Sequence, residues 1–220
     1  MLRWKASLKP TSGGGGGTVI FSDAMTEGAD TILTSHTPDT GTAWVESVNT
    51  TTASNAYVFA ATDTAGIDAS ENSKAVIMTV TPAPSGVNYD VELDVAALYS
   101  GAGTDDPMFV IGRYVDSSNF YAIQIKKNAI NPNIELYKYV AGTATSLGTY
   151  NVNLTATDTL KLEIRDATKK VYINDVEQIS SVDNALTAAG TAGWGVGSLI
   201  NGTDDLKNQW QIDNFIVTEQ

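Results

Sequence analysis

Short runs rich in Val, Ile, Thr and Tyr recur along this chain between clusters of Gly, Asn, Asp, Ser and Pro, and no helical period survives for ten residues. That pattern restricts the chain to an all-β fold. The spacing predicts strands over Val19–Phe21, Ile32–Ser35, Ala43–Val48, Ala56–Ala60, Lys74–Thr81, Asn88–Leu98 and Met108–Tyr114. The second half adds Phe120–Lys126, Ile134–Val140, Thr143–Tyr150, Thr159–Arg165, Lys169–Ile173, Thr191–Gly197 and Gln209–Thr218. Tyr89, Val91, Leu93 and Val95 alternate with Asp90, Glu92 and Asp94, and Leu160, Leu162 and Ile164 with Lys161, Glu163 and Arg165. Each of these two strands therefore has one buried and one solvated face. Asp116–Asn119, Ala141-Gly142 and Asn174-Asp175 read as tight turns, which makes neighbouring strands antiparallel. The expected product is a two-sheet sandwich, with Thr62–Ser73, Ser100–Pro107, Ser180–Ala189 and Ser198–Asn208 as rim loops where function concentrates.

At 220 residues and 42% hydrophobic composition the chain can bury one sizeable core. It has no cysteine, so disulfides and thiolate metal sites are excluded and the burial of Val, Ile, Leu, Tyr and Trp must hold the fold. The start, Met1–Pro10, carries basic residues but no apolar run of seven, so neither a signal peptide nor a membrane span is expected.

The first nine residues stand apart. Leu2, Trp4, Ala6 and Leu8 alternate with Arg3, Lys5 and Lys9, which is the pattern of an extended strand awaiting a partner surface. Gly13–Gly17 then separates them from the rest, as a coil spanning roughly 10–15 Å. The division read from this is an anchoring arm over residues 1–12, a glycine linker over 13–17 and a β domain over 18–220. The net charge is −12, and with three basic residues in the arm the remainder holds 10 basic against 25 acidic residues. Such a domain repels nucleic acid and anionic membranes, while the basic arm suits an acidic neighbour or a sister copy. Leu2, Arg3, Trp4, Lys5, Leu8 and Lys9 are the expected partner-binding residues, and a homo-oligomer is expected.

The order of several pieces resembles the concanavalin A-like (laminin-G-like) jelly-roll superfamily. These are Phe21-Ser22-Asp23, Asp39 to Trp44, Gly112-Arg113-Tyr114 before Asn119-Phe120-Tyr121, Ile134 to Lys138, Val171 to Asn174, Ala189 to Gly195 and Ile212 to Val217. The resemblance covers about residues 18–220 and implies an antiparallel jelly-roll sandwich. Domains of this kind serve as carbohydrate-binding and adhesion modules and occur in bacteriophage capsid decoration, head-fibre and tail proteins. With the arm, the expectation is a non-enzymatic virion structural protein at the virion surface, assembled in the host cytoplasm. The alternative is an extracellular module recognising cell-surface glycans, and a glycan hydrolase is the third reading.

Some members of that superfamily hydrolyse β-glucans with carboxylates spaced two apart on one strand. Glu92 and Asp94 imitate the start of that motif, but Ala96 or Ala97 fills its third acidic position. A solvated strand face explains Asp90, Glu92 and Asp94, and no catalysis is assigned to them. The single histidine, His36, lacks a glycine-flanked serine partner and reads as a polar residue at a strand end. Carboxylates in loops suggest a structural calcium at Asp63 and Asp68, or at Asp23 and Asp213 if the first and last strands pair. For sugar recognition the pattern sought is an aromatic ring with amides and carboxylates beside it. Trp194, Tyr99 and Tyr57 supply candidate rings, and Asp105, Asp106, Asn201, Asp204 and Asp205 candidate hydrogen-bonding groups. Core packing is the rival explanation for the tryptophans, above all for Trp44 in its alternating strand.

Overall fold

The structure is a computed structural model, and it describes residues 16–51, 55–67, 75–98, 107–126, 133–197 and 210–220. Its strands in chain order are β1 (Thr18–Asp23), β2 (Thr31–Ile32), β3 (Ala43–Asn49), β4 (Ala56–Phe59), β5 (Thr64–Ile67), β6 (Ala75–Thr81), β7 (Tyr89–Ala97) and β8 (Met108–Asp116). They continue as β9 (Asn119–Ile125), β10 (Ile134–Val140), β11 (Thr143–Tyr150), β12 (Thr159–Arg165), β13 (Thr168–Ile173), β14 (Val176–Val182), β15 (Thr191–Gly197) and β16 (Gln211–Glu219). A 3-10 turn over Leu33–Ser35 follows β2. It replaces most of the strand expected at Ile32–Ser35, because the His36 amide bonds back to the carbonyls of Ile32 and Leu33.

All ladders are antiparallel. One sheet runs β14-β13-β12-β7-β16-β5-β4-β2, with β1 also on β16, and the other runs β11-β10-β9-β8-β15-β6-β3. The crossovers place sequence-distant strands side by side, as in a jelly roll. First and last strands do pair, from Thr18 opposite Glu219 to Asp23 opposite Phe215.

Alternation decides which residues enter the interior. On β7, Tyr89, Val91, Leu93 and Val95 are fully buried, and Leu160, Leu162 and Ile164 of β12 meet them in the same layer. Val110 of β8, Ile123 of β9, Leu136 of β10 and Trp194 of β15 face them from the second sheet. Near the paired termini, Phe21, Trp44 and Phe215 pack edge to face with centroids 4.9–6.1 Å apart. Such ring pairs add about 0.5–1.5 kcal/mol each beyond their burial.

The outer face of β7 carries the acids that the alternation places there, and Asp90 and Asp94 each have a structural partner. Asp90 pairs with Arg165 at 2.8 Å. Asp94 accepts from Thr159 Oγ1 at 2.6 Å and from Asn214 Nδ2 at 2.8 Å.

Candidate functional site

A second apolar cluster lies on the face of the seven-stranded sheet that points away from the interior. Ile77, Phe109, Ile111, Tyr114, Phe120, Ala122 and Tyr139 form it, with Val48, Tyr137 and Ala144 packed against them. These residues alternate with the inward Met78, Val110, Ile123 and Leu136, so strand geometry alone sets them on the opposite side. The register lines them up in rows across all seven strands. One row reads Val48, Ile77, Gly195, Phe109, Gln124, Glu135, Thr149. The next reads Val45, Thr79, Gly193, Ile111, Ala122, Tyr137, Ser146. At strand spacing each row is roughly 29 Å long.

The middle of this face holds no side chain on β15. Gly193 and Gly195 sit there because a Cβ at Gly193 would come 2.1 Å from the Met78 carbonyl oxygen, and one at Gly195 2.7 Å from that of Val76. The floor beside them is closed to solvent, with Ile77, Phe109, Ile111 and Ala122 at 0–2% exposure. The accessible part is the side formed by β9, β10 and β11. There Gln124 and Tyr137 are half-buried, and Ser146 and Thr149 are exposed.

Rings and polar groups meet on that side. Phe120 and Tyr139 stack at 4.3 Å, and Tyr137 lies 6.2 Å from Tyr139. Lys126 Nζ donates to Glu135 Oε1 at 2.7 Å. Burial, then a hydrogen bond to Glu135, pushes the Tyr137 hydroxyl well above its ordinary value. Burial and the Glu135 charge push Tyr139 up to about 12. Both rings therefore stay neutral phenols. Phe120 and Tyr139 are themselves buried, so the chemistry offered is the one half-buried ring of Tyr137 bordered by an amide, hydroxyls and one paired carboxylate.

None of these residues is among the candidates for sugar recognition drawn from the sequence, and the structure moves Trp194 out of that role. Trp194 is 0% exposed in the interior, because Gly193 and Gly195 occupy the other face of its strand. Tyr57 does lie on the outer side of the other sheet, half-buried and 6.5 Å from Phe59, far in topology from the rows above. Tyr99, Asp105, Asp106, Asn201, Asp204 and Asp205 lie outside the described residues, as do Asp68 and the arm residues Leu2, Arg3, Trp4, Lys5, Leu8 and Lys9.

Pairing of β1 with β16 does not create the calcium site expected from Asp23 and Asp213. Asp23 faces the interior at 1% exposure, and its oxygens already accept from Trp44 Nε1 at 2.6 Å, the Met25 amide at 2.8 Å and the His36 ring at 2.8 Å. Asp213 pairs with Asp94 and shares its outer face. Asp63 sits in the β4–β5 turn with φ 51°, its amide bonded to Phe59 O at 2.8 Å. Among the described residues no group of three His, Cys, Asp or Glu is placed to hold a metal ion. His36 follows the 3-10 turn rather than ending a strand. Its side chain is 4% exposed, between Asp23 and Glu27.

The sequence matches no protein-family model and no curated protein. The fold matches many solved structures. Domain 4 of AbnA, an extracellular arabinanase from Geobacillus stearothermophilus solved with arabinotriose, aligns over 92% of this chain and 93% of its own, at 14% identity and TM-score 0.57. A β-glucanase from Bacillus licheniformis aligns over 89% and 100%, at 12% identity and TM-score 0.55. A carbohydrate-binding module from Bacillus subtilis aligns over 80% and 92%, at 16% identity and TM-score 0.50. At these identities the likeness defines a fold, and that fold is the concanavalin A-like jelly-roll sandwich. It carries binding modules and hydrolases alike, so function has to be argued from the site. No helix among the described residues is long and apolar enough to cross a membrane.

Proposed function

We propose that this chain is a non-catalytic carbohydrate-binding module, and that its site is the β9–β11 side of the outer face of the seven-stranded sheet. The observation that carries the reading is the meeting there of Tyr137 with Gln124, Glu135 and Lys126 on one surface. A sugar ring has an apolar face and a rim of hydroxyls, so it needs an aromatic platform with hydrogen-bonding groups beside it. The structural neighbours, among them a carbohydrate-binding module, support the same reading.

Absence of catalysis is part of the proposal. Glycoside hydrolysis by the common route uses two carboxyl groups on opposite sides of the scissile bond. The two rows across this face bring in one, Glu135, and it is engaged with Lys126. Glu92 and Asp94 lie on the outer face of the other sheet. The module would act outside cells.

Display on a virus-like particle rests on the Met1–Lys9 pattern together with the superfamily resemblance, and the neighbours favour the sugar reading over it. The two roles are compatible in one polypeptide, an arm that anchors and a head that binds. Affinity electrophoresis in gels containing neutral polysaccharides tests the site. Retardation by at least one polymer that Tyr137→Ala weakens about ten-fold is expected, and retardation unchanged in that variant contradicts the assignment.

A further inference from the structure

We infer that the site selects uncharged glycans, because among the described residues its one cation and its one carboxylate neutralise each other. This rests on the carbohydrate reading above and adds the class of sugar. Apart from tyrosines, the two rows across the outer face hold a single ionisable group, Glu135, and Lys126 follows the end of β9 beside it. Lys126 is fixed in place at both ends. Its amide donates to Asn133 O at 2.8 Å and its Nζ to Glu135 Oε1 at 2.7 Å.

The exposure of the pair matters. The Glu135 side chain is 8% exposed and that of Lys126 22%, so the ion pair is partly removed from water and screened less than a surface pair. A glycan ammonium group therefore meets a carboxylate that already has a cation bonded to it. A uronate or sulfate meets an ammonium whose charge is compensated, on a chain of net charge −12. Binding either would require breaking the internal pair without a replacement for the group left behind. Among the described residues of the two rows, the polar groups that remain for a ligand are neutral, namely the Gln124 amide and the Ser146 and Thr149 hydroxyls.

An array carrying neutral, uronate-bearing, sulfated and amine-bearing glycans, probed with the full chain at physiological salt, tests this. At that salt fields beyond about 8 Å are screened, so the net charge of the chain contributes little and the local pair decides. Wild-type chain is expected on neutral glycans only. Glu135→Gln frees the Lys126 ammonium and changes the net charge by one, and it should gain roughly five-fold for uronate-bearing glycans. Lys126→Met frees the carboxylate and should gain similarly for amine-bearing ones, which keeps the test valid if one variant fails to fold. Wild-type preference for charged glycans, or no gain in a folded variant, overturns the selectivity while leaving the sugar reading intact. An array with no signal in any class overturns the sugar reading itself.

Discussion

Asp23 Oδ1 lies 2.8 Å from His36 Nε2, with their side chains 2% and 4% exposed. The other ring nitrogen faces Glu27 Oε1 at 2.7 Å. Both nitrogens meet carboxylate oxygens, so the ring satisfies them only as the doubly protonated imidazolium. Burial alone would lower its pKa, but the hydrogen bonds to Asp23 and Glu27, with their charges, outweigh it and hold His36 above its ordinary 6.5. A raised cation stabilises fully below pH 6.5, and that contribution is lost as pH climbs through the folded value. The melting temperature should fall on going from pH 6 towards pH 8, and His36→Gln should flatten that slope. As the chain has one histidine, its imidazole NMR signal reports the titration directly. A midpoint at or below 6.5 contradicts this arrangement.

Two buried tryptophans should respond differently to the same change. Trp44 Nε1 donates to Asp23 Oδ2 at 2.6 Å, whereas the buried Trp194 Nε1 has no hydrogen-bond partner among the described residues. Trp44→Phe leaves a buried carboxylate oxygen short of a donor, and Trp194→Phe removes a donor that satisfied nothing. Trp44→Phe should therefore cost about 1–3 kcal/mol more than Trp194→Phe in denaturant unfolding. Equal losses would contradict the assigned role of Asp23.

Lys169 gives a slope of the opposite sign. It is fully buried, with Nζ donating to the carbonyls of Asp166 at 2.7 Å and Asp183 at 2.8 Å and lying 4.7 Å from the centre of the Tyr121 ring. Burial, then the nearby Arg113, lowers it to about 8. Between pH 8 and its ordinary 10.5 the unfolded chain holds the proton that the folded chain has released, so stability should rise with pH. Unfolding measured from pH 8 to 9.5 should show that rise in the wild type and lose it in Lys169→Met.

Much of the sandwich is legible in the sequence because its strands obey simple periodicity. Ile134–Val140, Thr143–Tyr150, Thr159–Arg165 and Thr191–Gly197 have the ends expected of them. Two strands escape the pattern. Thr64–Ile67 contains Ala65 and Gly66 where a branched run would signal a strand, and Val176–Val182 is an edge strand whose polar Glu177, Gln178, Ser180 and Ser181 dilute the signal. The candidate site is harder to see for a related reason. Met108 to Ile111 is apolar on both faces, and such a run does not distinguish interior rings from rings on the outer face. The telling signal is the failure of alternation itself. An antiparallel strand with one wet face should alternate, and Ile134-Glu135-Leu136-Tyr137-Lys138-Tyr139 instead places rings where charges belong.

The same face fixes a backbone requirement. Gly193→Ala brings a Cβ against the Met78 carbonyl oxygen and 3.0 Å from Thr79 Cα, both backbone atoms of β6 that have no rotamer to yield. The substitution should cost about 3 kcal/mol in denaturant unfolding. Gly86→Ala, with open space around it, should cost far less.

If sugar binds the β9–β11 side of the outer face, amide chemical-shift mapping during titration with a neutral oligosaccharide that binds the chain will locate it there. Shifts should concentrate at Gln124, Lys126, Glu135, Tyr137 and Ser146. Shifts concentrated instead around Glu92, Asp94 and Lys161 on the opposite sheet would contradict this placement.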